Sequence, residues 1–304
     1  MKFTSCPEQS SVFLQERSLI LSRPCKFAKK SLHFTQLRSG FSHNLNPQIS
    51  RRFRLRILFN DTVGFSIART LGYALKLTSL SVLQDQIISC CQCNRLTRWR
   101  EKVAREKRAA YRDQEYWGRP VPGFGDPRAR VLICGLAPAA HGGNRTGRIF
   151  TGDRSGDWLY AALFRAGFAN QPTSQHRNDG LQLKDCYITS CVRCAPPNNK
   201  PTPDERDKCL PYLLKEIAML QRIRAVVCLG SFAWRVMLRG LRQLKYEVVP
   251  TPKFGHGVEA IFGPYYLIGS YHPSQQNTFT GRLTETMLDI VFERAKKMSV
   301  SKKT

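Results

Sequence analysis

Four short apolar runs, at residues 131–135, 186–189, 225–229 and 265–269, are separated by longer stretches with helical periodicity. Each run has the length of a buried strand rather than of a helix. The helical patterns fall at residues 155–166, 203–220, 231–238 and 280–297. Parallel strands need a crossover between them, and helices fill that role best. The alternation therefore predicts a three-layer α/β/α fold around a central, mostly parallel, four-stranded sheet. Ligands of such sheets bind beyond the carboxyl ends of the strands.

The segments just past those ends should therefore carry the chemistry. The first run leads into a glycine-rich segment, residues 135–153, before the next helical pattern begins. Such a loop lets backbone approach a ligand closely and aims amides at an anion or a carbonyl. It lacks the Gly-Lys-Ser/Thr of a Walker loop and the spacing of a dinucleotide fingerprint. The second run leads to Val192-Arg193-Cys194-Ala195-Pro196-Pro197 and the fourth to Ser270-Tyr271-His272-Pro273-Ser274.

Cysteines add a second constraint. Cys90 and Cys93 stand three positions apart, Cys194 and Cys209 fifteen apart, and the two pairs are far from one another in sequence. Two such pairs suggest a tetrathiolate site, for which zinc and an iron–sulfur cluster are both natural occupants. Spacing alone leaves both open. Cys134 and Cys228 lie inside apolar runs and read as small buried hydrophobes.

Taken in order, these blocks resemble the family 5 uracil-DNA glycosylases, the iron–sulfur type. The resemblance covers roughly residues 88–298 and rests on several blocks. They are the Cys90/Cys93 pair with Trp99-Arg100-Glu101 after it, the loop from Gly135 to Asp153, the Val192 block, Cys209, and the Tyr271-His272-Pro273-Ser274 motif with Asn277 to Leu283 behind it. Leu136 stands where family 4 enzymes carry an acidic residue. The resemblance implies a uracil-DNA glycosylase-like fold and a base-excision repair hydrolase acting on DNA that holds uracil, hypoxanthine or xanthine. It also implies a [4Fe–4S] cluster on Cys90, Cys93, Cys194 and Cys209.

Roles are carried over residue by residue. His272 is expected to donate to the base O2 as charge develops there. Phe150 is expected to stack on the extruded base. Leu136, Ala137 and His141 are expected to line the pocket, and Ser190 to sit at the base-reading edge. Asn144 takes the slot of a water-positioning group. Asn orients a water but cannot take its proton, so Asp153 and His141 are alternatives. Asp153 reads equally well as a helix N-cap. Arg145, Arg148, Lys200, Ser274, Gln276, Asn277 and Arg282 are candidates for contacts to the DNA backbone and for wedging the duplex.

The charge agrees with a polyanionic partner. The 304 residues carry a formal net charge of +26. Residues 1–86 hold 13 Lys/Arg against 4 Asp/Glu, so most of the excess falls on residues 87–304. That later part is expected to be the catalytic domain, acting as a monomer. No apolar stretch in the sequence is long enough to span a membrane. The basic, acid-poor segment 1–86 resembles a mitochondrial or plastid transit peptide; an untranslated extension and a basic arm on DNA are the other readings. A non-catalytic nucleic-acid binder on the same fold is the alternative function, with Asn144 and Ser190 as marks of lost chemistry. A zinc-ribbon hydrolase is the third reading.

Overall fold

In the computed structural model the described residues are 80–246 and 250–301. They belong to one unit of the chain, which spans residues 68–304. Most of the basic N-terminal segment, residues 1–79, lies outside them. Residues 80–88 are helical, and Leu80, Leu83 and Ile87 are buried. The packed fold therefore reaches upstream of the boundary expected at residue 87.

All four expected strands are present. They are β2 (Val131–Gly135), β3 (Cys186–Ser190), β4 (Ala225–Leu229) and β6 (Tyr265–Ser270), and they run parallel in the order β3-β2-β4-β6. Two further strands extend the sheet to six: β1 (Phe124–Gly125) pairs antiparallel with β3, and β5 (Glu259–Phe262) antiparallel with β6. Neither edge strand has a buried apolar run to announce it. β1 has two residues inside a turn-rich connector, and three of the four residues of β5 are exposed or half-buried.

Side chains alternate across the sheet. Val131, Ile133, Ile188, Val227 and Ile268 pack on one face beneath α3 (Arg154–Arg165) and α7 (Glu285–Val300). Leu132, Cys134, Tyr187, Val226 and Leu267 pack on the other beneath α4 (Pro203–Met219) and α5 (Ser231–Gln243). The helices start where their caps dictate. Thr202 and Glu205 form a reciprocal capping box with Pro203 in the first turn of α4. Thr284 caps α7 through the Met287 N–H, so the pattern expected from residue 280 begins at Glu285. The preceding residues form a separate short helix, α6 (Gln275–Phe279). Two more helices complete the surroundings of the strand ends: α1 (Asn94–Glu106) and the single turn α2 (Gly143–Thr146) inside the glycine-rich loop. Among the described residues no helix is long and apolar enough to cross a membrane.

Candidate active site

The carboxyl ends of β2, β3, β4 and β6 deliver Gly135, Ser190, Leu229 and Ser270 to one edge of the sheet. Two loops meet above it. The glycine-rich loop brings Phe150 back over the strand it left. A Cβ added at Gly135 would stand 2.7 Å from the Phe150 Cζ, so only a glycine lets the ring lie there. The ring of His272, two residues beyond β6, stands 5.7 Å from that of Phe150, centroid to centroid, at an interplanar angle of 34°.

Phe150 is held in a costly conformation. Its φ is +51°, the left-handed region that bulky residues rarely enter. Such strain persists only where the surroundings over-determine it, and it marks functional positions. The restraints are visible. The Tyr160 hydroxyl donates to Ile149 O at 2.9 Å. The Phe150 carbonyl packs on Gly156, where a Cβ would meet it at 2.0 Å.

His272 is anchored through its carbonyl, which accepts from Ser274 N–H at 2.8 Å and from Asn277 Nδ2 at 2.9 Å. Among the described residues no hydrogen bond engages its ring. The ring is partly accessible at the mouth, yet the protein packed around it disfavours the imidazolium and lowers its pKa to about 4. At neutral pH it is an uncharged donor. Tyr271 beside it is fixed by residues that sequence spacing does not reveal. Its N–H donates to His256 Nδ1 at 3.2 Å, the His256 ring lies 5.2 Å away, and the Arg282 guanidinium sits 4.5 Å from the Tyr271 ring.

Asp153 closes the glycine-rich loop. It is the N-cap of α3, with Oδ1 accepting from Gly156 N–H at 3.0 Å. Burial raises its pKa above the ordinary carboxylate range, against the lowering effect of the Gly156 and Ser155 amides. It also lines a cavity of about 670 Å³ together with Tyr111, Arg145, Arg154 and His176; neither Phe150 nor His272 is among the lining residues. His141 is half-buried and bonded through Nδ1 to the Tyr116 hydroxyl at 3.0 Å; burial, then Arg108 and Arg145, lower its pKa.

At other positions the structure departs from the sequence reading. Asn144 is fully buried, and its Nδ2 donates to the Arg100 carbonyl of α1 at 3.2 Å. Its Nδ2 is committed to that carbonyl, and its Oδ1 is buried without a protein partner among the described residues. Arg145 and Arg148 are buried as well, so neither reaches out to a DNA strand. Arg145 clamps the loop by donating to His141 O and Gly152 O and stacks on Tyr111. Arg148 pairs with Asp179 at 2.6 Å and donates to Ser174 and Thr151. Burial alone would raise the Asp179 pKa; Arg148 with the Leu181 and Gln175 amides instead brings it to about 2. Ser190 is buried with its hydroxyl donated to Val192 O at 2.9 Å, which leaves that proton unavailable to a base. Leu136 and Ala137 are half-buried at the β2 exit. Lys200, Gln276 and Arg282 are exposed, and Ser274 and Asn277 are half-buried, on the surface that surrounds His272 or the Val192 segment.

Behind Ala137 the four expected cysteines share one apolar cluster. Cys194 and Cys209 are buried within it, and Cys90 and Cys93 pack against it with Leu83, Ile87, Leu96, Val192 and Tyr212. Burial pushes the Cys93 thiol up to about 12 and the Cys194 thiol up to about 11. Donors are aimed at two of the sulfurs. Arg100 Nη1 stands 3.2 Å from Cys194 Sγ, and the Arg193 N–H donates to Cys209 Sγ at 3.4 Å. Arg100 Nε is buried without a partner. Arg193 is itself fixed by the fully buried Glu216, which also accepts from Thr189 Oγ1 at 2.6 Å. Among the described residues no three His, Cys, Asp or Glu side chains are placed to cage a metal ion. The four thiols share one apolar cluster.

The chain is similar to known proteins over most of its described length. Residues 122–296 match the model of the family described as "Uracil DNA glycosylase superfamily". The type-5 uracil-DNA glycosylase of Mycobacterium tuberculosis is 56% identical over 223 residues, which is 73% of this chain and 82% of that protein. The type-5 enzyme of Thermus thermophilus is 47% identical over 216 residues, 70% of this chain and 95% of that protein. A type-4 uracil-DNA glycosylase of Archaeoglobus fulgidus is more distant, at 30% over 162 residues, 51% of this chain and 70% of that protein.

Proposed function

The chain belongs to the uracil DNA glycosylase superfamily, and on that premise we propose how it acts and on what. It is a DNA glycosylase of base-excision repair that removes uracil. Its range extends to the deaminated purine bases hypoxanthine and xanthine. The observation that carries this reading is the strained Phe150 ring laid over Gly135 and against His272 at the strand ends. An extruded base stacks on Phe150, and its O2 meets the His272 ring. No side chain at the β3 exit competes for the base edge, because the Ser190 hydroxyl is spent on Val192 O. A pocket without a committed pyrimidine reader admits purines.

The glycosidic bond breaks as negative charge gathers on the base and positive charge on the sugar. His272, neutral because the site disfavours its charged form, donates to the base and stabilises the departing anion. Asp153 is the better group for the water, since it closes the loop that carries Phe150 while the Asn144 amide is committed to α1. Its carboxylate orients the water attacking C1′ and accepts the proton. The protein acts as a monomer. Lys200, Gln276 and Arg282 hold the DNA backbone.

The thiol site holds a [4Fe–4S] cluster on Cys90, Cys93, Cys194 and Cys209. Four thiolates would serve zinc or a cluster alike; the blocks that resemble the iron–sulfur type favour the cluster. The unpartnered Arg100 Nε supports a group that brings further acceptors. Bound there, the cluster cross-links the segment before α1 to the loops that carry the pocket.

The test is incubation of the purified protein with duplexes bearing uracil, hypoxanthine or xanthine, followed by alkali. Strand cleavage with all three is expected; cleavage with uracil alone would confine the enzyme to the pyrimidine.

Two further results are expected. Because burial raises the Asp153 pKa, its carboxylate form appears at higher pH than that of an ordinary aspartate. Single-turnover rates should rise with pH through that raised value and then level off. Asp153→Asn keeps the helix cap and should abolish the acid limb together with most of the rate. An unchanged pH profile in that variant would return the water to another residue. The basic surface, for its part, should give duplex affinity that falls about 1,000-fold or more between about 50 and 200 mM salt if six or more phosphates are contacted. Titration by fluorescence anisotropy measures this, and a flat salt dependence would contradict it.

A further inference from the structure

Asn144 and the cysteines are linked through one residue. Arg100, 3% exposed on α1, donates from Nη1 to Cys194 Sγ and to Cys90 O, each at 3.2 Å. Its own carbonyl accepts from Asn144 Nδ2. Asn144 is in turn built into the glycine-rich loop on both sides. Its N–H donates to Ala139 O at 3.0 Å, and its carbonyl accepts from Gly118 N–H at 3.0 Å. The backbone of Trp117 also holds the Arg145 carbonyl. A continuous path therefore runs from the Cys194 sulfur through the Arg100 side chain and backbone to Asn144. From there it enters the loop that carries Phe150 and Asp153. All three linking side chains are buried, so water cannot substitute for their bonds without cost.

We propose that Arg100 and Asn144 are positioning residues that couple the thiol site to the catalytic loop, so that whatever is bound on the cysteines sets the geometry of Phe150 and Asp153. Asn144 occupies its slot for this purpose. An aspartate there would face the Arg100 carbonyl with a buried negative oxygen in place of the N–H donor. Asn144→Asp should therefore weaken the loop and lower activity rather than supply a base.

A path that links the two ends gives a test that a merely local role would not meet. Asn144 touches no cysteine. If the path transmits, Asn144→Ala should disturb the thiol site as well as the chemistry. In anaerobically purified protein, the visible absorbance of the iron–sulfur cluster should bleach in air about 2- to 30-fold faster than in wild type, the range of couplings carried by contiguous networks. The single-turnover rate on a uracil duplex should fall while duplex Kd stays within about twofold. Arg100→Leu should show both effects, and Arg100→Lys, which keeps one donor toward Cys194, should recover part of each. Thermal melting separates these results from failure to fold.

Asn144→Ala that slows excision with bleaching unchanged would overturn the coupling. So would Arg100→Leu with wild-type bleaching and wild-type turnover. The inference rests on the iron–sulfur reading only for its colour. Should the wild-type protein purify without iron and sulfide, that reading fails while the coupling is still measured, as the rate at which a maleimide alkylates Cys194. That rate should rise in Asn144→Ala, and an unchanged rate would overturn the coupling in the metal-free protein too.

Discussion

His272→Ala lowers the single-turnover rate of uracil excision by about 100- to 1,000-fold, the loss expected when one pre-aimed donor to a developing anion is removed. The substitution removes a ring that packs against Phe150 but leaves the backbone anchors at Ser274 and Asn277 in place. Duplex affinity should therefore change little, and the defect should lie in the chemical step. The pH dependence should show the same logic. The ring is neutral down to about pH 4, so it contributes no limb to the profile in the working range, and the acid limb belongs to Asp153. A His272→Ala defect equal to that of Asp153→Asn would still allow both roles. A defect below about tenfold would show that charge on the base is stabilised elsewhere, by loop amides for instance.

Cys194→Ala has the second large effect, on the protein itself. It removes one thiol of four and deprives the buried Arg100 guanidinium of its sulfur acceptor. A buried donor left without a partner costs about 1–3 kcal/mol, more when charged. Iron and sulfide should be lost together, and the protein should become largely insoluble. Iron and acid-labile sulfide assays on the soluble fraction read the result. Full iron content in Cys194→Ala would remove this cysteine from the ligand set.

The core was legible in the sequence because its strands are buried on both faces. Runs such as Val131–Gly135 and Ala225–Leu229 leave no alternative to a covered parallel strand. The edges were not. Phe124–Gly125 forms a strand only through pairing with Tyr187 and Ile188, a long-range event that no local pattern encodes. The helix over residues 80–88 overlaps only the end of a mildly apolar patch over residues 67–83, yet Leu83 and Ile87 bury fully.

Within the site, the motifs that carry Phe150 and His272 lie on segments the fold sets side by side, and Gly135 leaves room for the Phe150 ring. Motif position misplaced the arginines. Charge in a sequence reads as surface, yet Arg148 finds Asp179 thirty-one positions on and is drawn inside. Asn144 reads as a water ligand until the carbonyl of Arg100 appears beside it. His256 and Tyr116 act by contacts across the fold and carry no signal of spacing at all.

Hydrolysis of a glycosidic bond in DNA at the Phe150–His272 site is tested most directly by mass spectrometry of one turnover on a uracil-containing duplex. That measurement detects the freed base and the abasic strand together. Wild-type protein should release one uracil for each abasic site formed, and His272→Ala should release almost none in the same time while still binding the duplex. Tight binding by wild-type protein with neither product formed would contradict hydrolysis at this site.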